Sequence, residues 1–215
     1  MLLLAFDTAT PHVTVALHDG SQVLADSSEV DPRRHGELLA PGIAAVLDEA
    51  GVDRRDLTDV AVGVGPGPFT GLRVGLVTAR TLAAVLDVQL HGVCSLDVVA
   101  GQAARQGVQQ PFAVATDARR KEVYWARYAD GDRVQGPAVA RPAALAQLLS
   151  AGEGVVGRGA QLYAEVLPVV DGPLDPDAAV LAELVLAGSV ELLAAEPLYL
   201  RRPDAAEPGL RKPVS

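Results

Sequence analysis

The chain opens on a short unbroken apolar run, Leu2-Leu3-Leu4-Ala5-Phe6, that stops at Asp7-Thr8-Ala9-Thr10. A run of this kind predicts a strand buried on both faces. Alternation follows, with Val13, Val15 and Leu17 on one face and His12, Thr14, Ala16 and His18 on the other, and then an Asp19-Gly20 turn and a returning strand through Val23 and Ala25. His12 and His18 read as solvent-facing strand residues. Leu39, Ile43, Val46, Leu47 and Ala50 fall at helical spacing, so a helix is expected from about Arg34 to Ala50, kinked at Pro41 and capped by Gly51. Val60–Val64 reads as a second buried strand. A helix from about Thr70 to Leu86, a strand near Gln89–Val93 and a helix from about Ser95 complete the first half.

The second half repeats this order. Phe112–Thr116 is an apolar strand ending at Asp117, Val123–Tyr128 is the next, Asp130-Gly131 turns, and Arg133–Val139 returns. A helix over Pro142–Leu149, a strand near Val155–Gly157 and a helix around Asp177–Leu186 follow. The matched positions of the strand-end aspartates and the Asp-Gly turns predict a duplicated βββαβα unit. The first lobe is expected over residues 1–103, a shorter second lobe over 104–202, and a loose tail over 203–215.

Gly63-Val64-Gly65-Pro66-Gly67-Pro68-Phe69-Thr70-Gly71 joins a strand to a helix. Two readings fit. Glycines beside a helix N-terminus can cradle a phosphate or carboxylate, or they can allow a tight connection. Pro66 and Pro68 favour the second, because each removes a backbone donor. In the helix that follows, Gly71, Gly75, Ala79 and Ala83 recur every four residues. This smooth stripe fits either close packing on the chain's own sheet or a helix–helix contact with a partner.

Composition narrows the classes. With 49% apolar residues the chain buries a core, and with 4% aromatic residues that core is aliphatic. A single cysteine, Cys94, excludes an internal disulfide and a cysteine-clustered zinc site. Charges interrupt every apolar stretch before it reaches spanning length, so no membrane helix is expected, and the N-terminus lacks the basic region of a signal peptide. The cytosol is the default compartment. The net charge is −9, and the basic residues, 16 Arg and 2 Lys, are scattered as pairs such as Arg33-Arg34, Arg54-Arg55, Arg119-Arg120 and Arg201-Arg202. Autonomous RNA binding is not expected from this distribution.

Four segments taken together resemble the TsaB (YeaZ) family: Asp7-Thr8-Ala9-Thr10, Gly65–Gly75, Asp117-Ala118-Arg119-Arg120-Lys121-Glu122-Val123-Tyr124-Trp125-Ala126, and Ala195–Arg201. The resemblance implies a two-lobed actin-like (ASKHA, ribonuclease H-like) α/β fold. It implies a non-catalytic partner of the paralog TsaD, acting with the small ATPase TsaE to place threonylcarbamoyl on N6 of the tRNA adenosine beside the anticodon. The tRNA is met indirectly through the complex, and a homodimer forms when the chain is alone. The family pairs through the two helices of its first lobe. The implied interface here is Leu39, Ile43, Leu47, Gly71, Leu72, Gly75, Leu76, Ala79 and Ala83, and His35 sits at or beside it.

The catalytic paralog holds a metal on His-x-x-x-His after the strand that follows the glycine-turn helix. Ser95 and Val99 occupy those places here, which predicts no metal site and no catalytic residue. Asp7, Thr8 and Asp117 mark a vestigial nucleotide cleft. No cofactor is required, and any nucleotide binding there is weak. Asp7 and Asp117 also fit the plainer role of capping strand-end turns. The alternative function is a stand-alone kinase or ATPase with Asp7 as its metal-binding residue. A peptidase is the third reading, and it lacks a nucleophile–base pair.

Overall fold

The structure, a computed structural model, describes residues 1–201; the expected tail lies outside the described residues. The first sheet contains β1 (Leu3–Asp7), β2 (His12–His18), β3 (Val23–Val30), β4 (Asp59–Gly65) and β5 (Gln89–Cys94), in the order β3-β2-β1-β4-β5. The second contains β6 (Phe112–Asp117), β7 (Val123–Ala129), β8 (Asp132–Ala140) and β9 (Gly154–Val156), in the order β8-β7-β6-β9. Each sheet has two antiparallel hairpin strands beside the first strand and a parallel strand on its other side. The second topology is therefore the first without its fifth strand, as a duplication with a shortened second lobe requires.

Burial on both faces explains the apolar runs. On β1, Leu4 and Phe6 point to α1 (His35–Ala50) and α2 (Phe69–Leu86), while Leu3 and Ala5 point to α3 (Ser95–Arg105) and α6 (Ala178–Ala187). On β6, Phe112 and Val114 face α3, and Ala113 and Ala115 face α4 (Pro142–Leu148) and α5 (Arg158–Leu162). The molecule is thus five layers deep, helix–sheet–helix–sheet–helix, and α3 belongs to both cores.

α1 contains Pro41 and ends, as expected, at a cap on Gly51, which is left-handed. Several other elements depart from expectation. α2 begins at Phe69, with Pro68 as its cap position. α3 runs to Arg105, past the expected lobe limit at 103. α6 returns to the first sheet, where its Ala178 N–H donates to Thr14 Oγ1 at 3.0 Å, so the second lobe as read from sequence loses its last helix to the first. This helix covers the polar-looking face of β2. His18 is consequently buried, with Nδ1 accepting the Gly20 N–H at 2.9 Å, and is not solvent-facing. His35 is also buried, its Nε2 lying 2.7 Å from Thr10 O. α2, with 18 residues and a mean hydropathy of 1.3, has the length and composition to cross a membrane, contrary to expectation. Here it is a layer on the first sheet, with Leu72, Leu76, Ala79 and Ala83 inward.

Beyond α6 a strap over residues 191–201 crosses between lobes. Leu193 and Gly92 exchange backbone hydrogen bonds at 2.8 and 3.1 Å, and Leu198 N–H donates to Val64 O at 2.9 Å. The Arg80 Nε–H donates to Ala195 O at 2.8 Å, tying the strap to α2.

Candidate functional site

The C-terminal ends of β1 and β6 meet between the lobes. Asp7 ends β1 with both carboxylate oxygens engaged: Oδ1 accepts the Ala9 N–H at 2.6 Å and Oδ2 accepts the Ser95 hydroxyl at 2.5 Å. Ser95 Oγ in turn accepts the Gly65 N–H at 3.2 Å. Asp7 is fully buried, and that burial pushes its pKa up to about 6 in spite of the two hydrogen bonds, which pull it down. Thr8, 1% exposed, donates its hydroxyl to Gly71 O at 2.8 Å. Asp117 sits at the equivalent end of β6, where Oδ1 accepts the Arg119 N–H at 2.7 Å and Oδ2 pairs with the Arg119 guanidinium at 3.2 Å. Arg158 grips the buried Asp175 through Nε, 3.0 Å from each carboxylate oxygen.

Thr10, Thr116, Asp117, Arg119, Arg158 and Asp175 line a cavity of about 10 Å³ between the lobes. That volume is about one water molecule, far below the several hundred Å³ of a ligand pocket. Asp7 and Thr8 do not face an open cleft. Among the described residues no three His, Cys, Asp or Glu side chains cluster in metal-holding geometry.

The glycine turn has a steric explanation. A Cβ on Gly67 would stand 2.2 Å from Ala9 O, one on Gly71 2.3 Å from Thr8 O, and one on Gly75 2.5 Å from Thr8 Oγ1. The glycines admit the β1 turn against α2, as the tight-connection reading requires. This corrects the expected partner surface. Leu39, Ile43, Gly71, Leu72, Gly75, Leu76, Ala79 and Ala83 are buried in the chain's own core, and Leu47 packs half-buried against it. The small-residue stripe faces inward because the close approach is to Thr8. The outward faces of α1 and α2 carry Ala40, Pro41, Ala44, Val77 and Val85 instead, with Val77 63% and Val85 76% exposed.

The five-layer fold with two sheets of one topology and a strand-end aspartate in each lobe defines the actin-like, two-lobed class. Residues 23–173 match the family model described as "TsaD: tRNA N6-adenosine threonylcarbamoyltransferase". YeaZ from Pseudomonas aeruginosa superposes with a TM-score of 0.81 at 33% identity, over 93% of this chain and 99% of that one. An uncharacterized protein of Mycobacterium bovis is 43% identical over 208 residues, 94% of this chain and 93% of its own. Escherichia coli TsaB, a tRNA threonylcarbamoyladenosine biosynthesis protein, is 38% identical over 128 residues, 60% of this chain and 55% of that protein. The chain belongs to the TsaB/YeaZ family.

Proposed function

We propose that this chain is the non-catalytic partner of TsaD in tRNA threonylcarbamoyladenosine (t6A) biosynthesis, working in the cytoplasm with TsaE. The name of its Escherichia coli relative and the matching family model support the pathway. One observation carries the non-catalytic role. Ser95 and Val99 stand where the paralog's two histidines belong; the Ser95 hydroxyl is spent between Asp7 and Gly65, and Val99 is buried beside β6. A hydroxyl so engaged and an isopropyl group cannot hold a cation. No nucleotide is needed for the role, and any binding beside Asp7, Thr8 and Asp117 is weak.

The surface offered to TsaD is the outward face of α1 and α2. The exposed Val77 and Val85 of α2 are the kind of apolar area that docking covers, and α1 adds the exposed Ala40, Pro41 and Ala44. Without TsaD, a second copy covers the same face in an isologous dimer. The test is threonylcarbamoyl transfer to tRNA by cognate TsaD, TsaE and threonylcarbamoyl-adenylate, with and without this chain. Transfer should require the chain, and the chain alone should transfer nothing. Equal transfer without it overturns the reading. ATP turnover by the isolated chain, lost in Asp7→Asn, would replace it with a kinase or ATPase.

A further inference from the structure

Five Ser and Thr side chains are buried among the described residues: Thr8, Thr10, Thr14, Ser95 and Thr116. Four of them have partners. Thr8 donates to Gly71 O, Thr10 Oγ1 accepts the His12 N–H at 3.2 Å, Thr14 Oγ1 accepts the Ala178 N–H, and Ser95 lies between Asp7 and Gly65. Thr116 is 4% exposed, and its Oγ1 has no hydrogen-bond partner among the described residues. A buried hydroxyl without a partner costs free energy that folded chains rarely leave uncompensated. The pleat sets its direction. Phe112 and Val114 face the first lobe through α3, so Thr116, next at period two, points the same way. There it lines the interlobe cavity of about 10 Å³.

The walls of that cavity decide what fits. A water molecule needs about this volume and about two to four polar partners. The first lobe supplies Thr10, and the second supplies Thr116 and Asp117. The surrounding charges are matched: Asp117 pairs with Arg119 at 3.2 Å, and Asp175 with Arg158 through Nε at 3.0 Å. Two carboxylates against two guanidinium groups leave no net charge to hold an ion. The site therefore suits a neutral species that both donates and accepts. Each wall group also retains the capacity such a species would use. Thr10 Oγ1 accepts one N–H and keeps its own proton to donate. Asp117 Oδ1 takes the Arg119 N–H at 2.7 Å, and a carboxylate oxygen can take a second donor. Thr116 has its whole hydroxyl to offer.

We propose that one ordered water molecule is a constituent of the contact between the lobes. It accepts from the Thr116 and Thr10 hydroxyls and donates to the Asp117 carboxylate. These are the three bonds typical of a buried water, about as many as it needs to be held. The water ties the turn after β1 to the end of β6, the two strand ends that the repeated topology makes equivalent. Thr116 is then satisfied by a bridge to the other lobe and not by any group of its own strand. The inference rests on the cavity and its walls, independently of the t6A reading.

The experiment is a crystal structure of the full chain at a resolution that orders solvent, with urea melts of the wild type and of Thr116→Val. One solvent peak should lie about 2.7–3.0 Å from Thr116 Oγ1, with Thr10 Oγ1 and an Asp117 oxygen at similar distances. Thr116→Val keeps a β-branched side chain that suits a strand and removes the hydroxyl. Its crystals should lack the peak. Its folding equilibrium constant should fall about fivefold, the worth of one net hydrogen bond. Thr116→Ser retains the hydroxyl and should retain the peak. Three results would each overturn the proposal: a wild-type cavity without a peak, contacts of about 2.0–2.6 Å that mark a metal cation, or a Thr116→Val protein more stable than the wild type. The last is what an unbridged hydroxyl requires, since removing an unsatisfied buried group is stabilising. None of these readouts involves TsaD or tRNA, so their failure leaves the t6A reading standing.

Discussion

Asp7 gives the sharpest test of the sealed cleft. Its carboxylate is fully buried, with an ordinary pKa of 3.8 pushed up to about 6, chiefly by burial. The native pKa lies above the unfolded one. The group's contribution to stability is therefore full below about pH 4 and is lost as pH rises through about 6. A difference near two pKa units corresponds to about 3 kcal/mol. Asp7→Asn keeps the shape and an acceptor for the Ala9 N–H, and its amide can donate to Ser95 Oγ while that hydroxyl turns. Urea melts of both proteins from about pH 4 to pH 7.5 isolate the residue, since all other titrations cancel. The variant should gain on the wild type with rising pH, by about 3 kcal/mol across the window. A difference constant with pH would refute the burial argument. A wild-type gain restored by magnesium and ATP would show that the cleft opens to a nucleotide after all.

Other perturbations follow from the same packing. Gly75→Ala sets a methyl 2.5 Å from the buried Thr8 Oγ1 and should lower stability by about 1–3 kcal/mol in a denaturant melt. Val77→Asp with Val85→Asp should leave stability within about 0.5 kcal/mol per site, both positions being exposed, and abolish co-elution with TsaD; retained co-elution would remove the α1–α2 face as the docking surface. The Cys94 thiol, buried and pushed up to about 12, should resist a thiol reagent in the native state at about pH 8 and react on unfolding.

Much of this architecture was legible because both lobes repeat one pattern. Strands buried on two faces read as unbroken apolar runs, and β1 and β6 do so, each ending in an aspartate. Which side of α2 packs on the chain's own sheet was not legible. Leu72 and Leu76 on one side and Val77 and Val85 on the other make the helix apolar nearly all round, and small residues at four-residue spacing fit close packing in either direction. Thr8, over sixty residues away in sequence, decides it. α6 presents the same problem: with Glu183 as its one charge, its composition does not say which sheet it covers. The short α5 carried no periodic signal.

The shared helix α3 has a mechanical consequence. Val98 fills the core beneath the first sheet, while Leu96, Val99, Ala100 and Ala103 fill the core above the second. A joint between two bodies needs a seam that few side chains cross. Here the seam is the interior of a helix layer, and the strap clamps it from outside through Gly92, Val64 and Ala118. Kinases grip phosphate by closing one domain on another. Among the described residues α3 and the strap both cross the seam on which such a stroke would act, so closing one lobe on the other would have to disturb the packing of α3 and the hydrogen bonds of the strap.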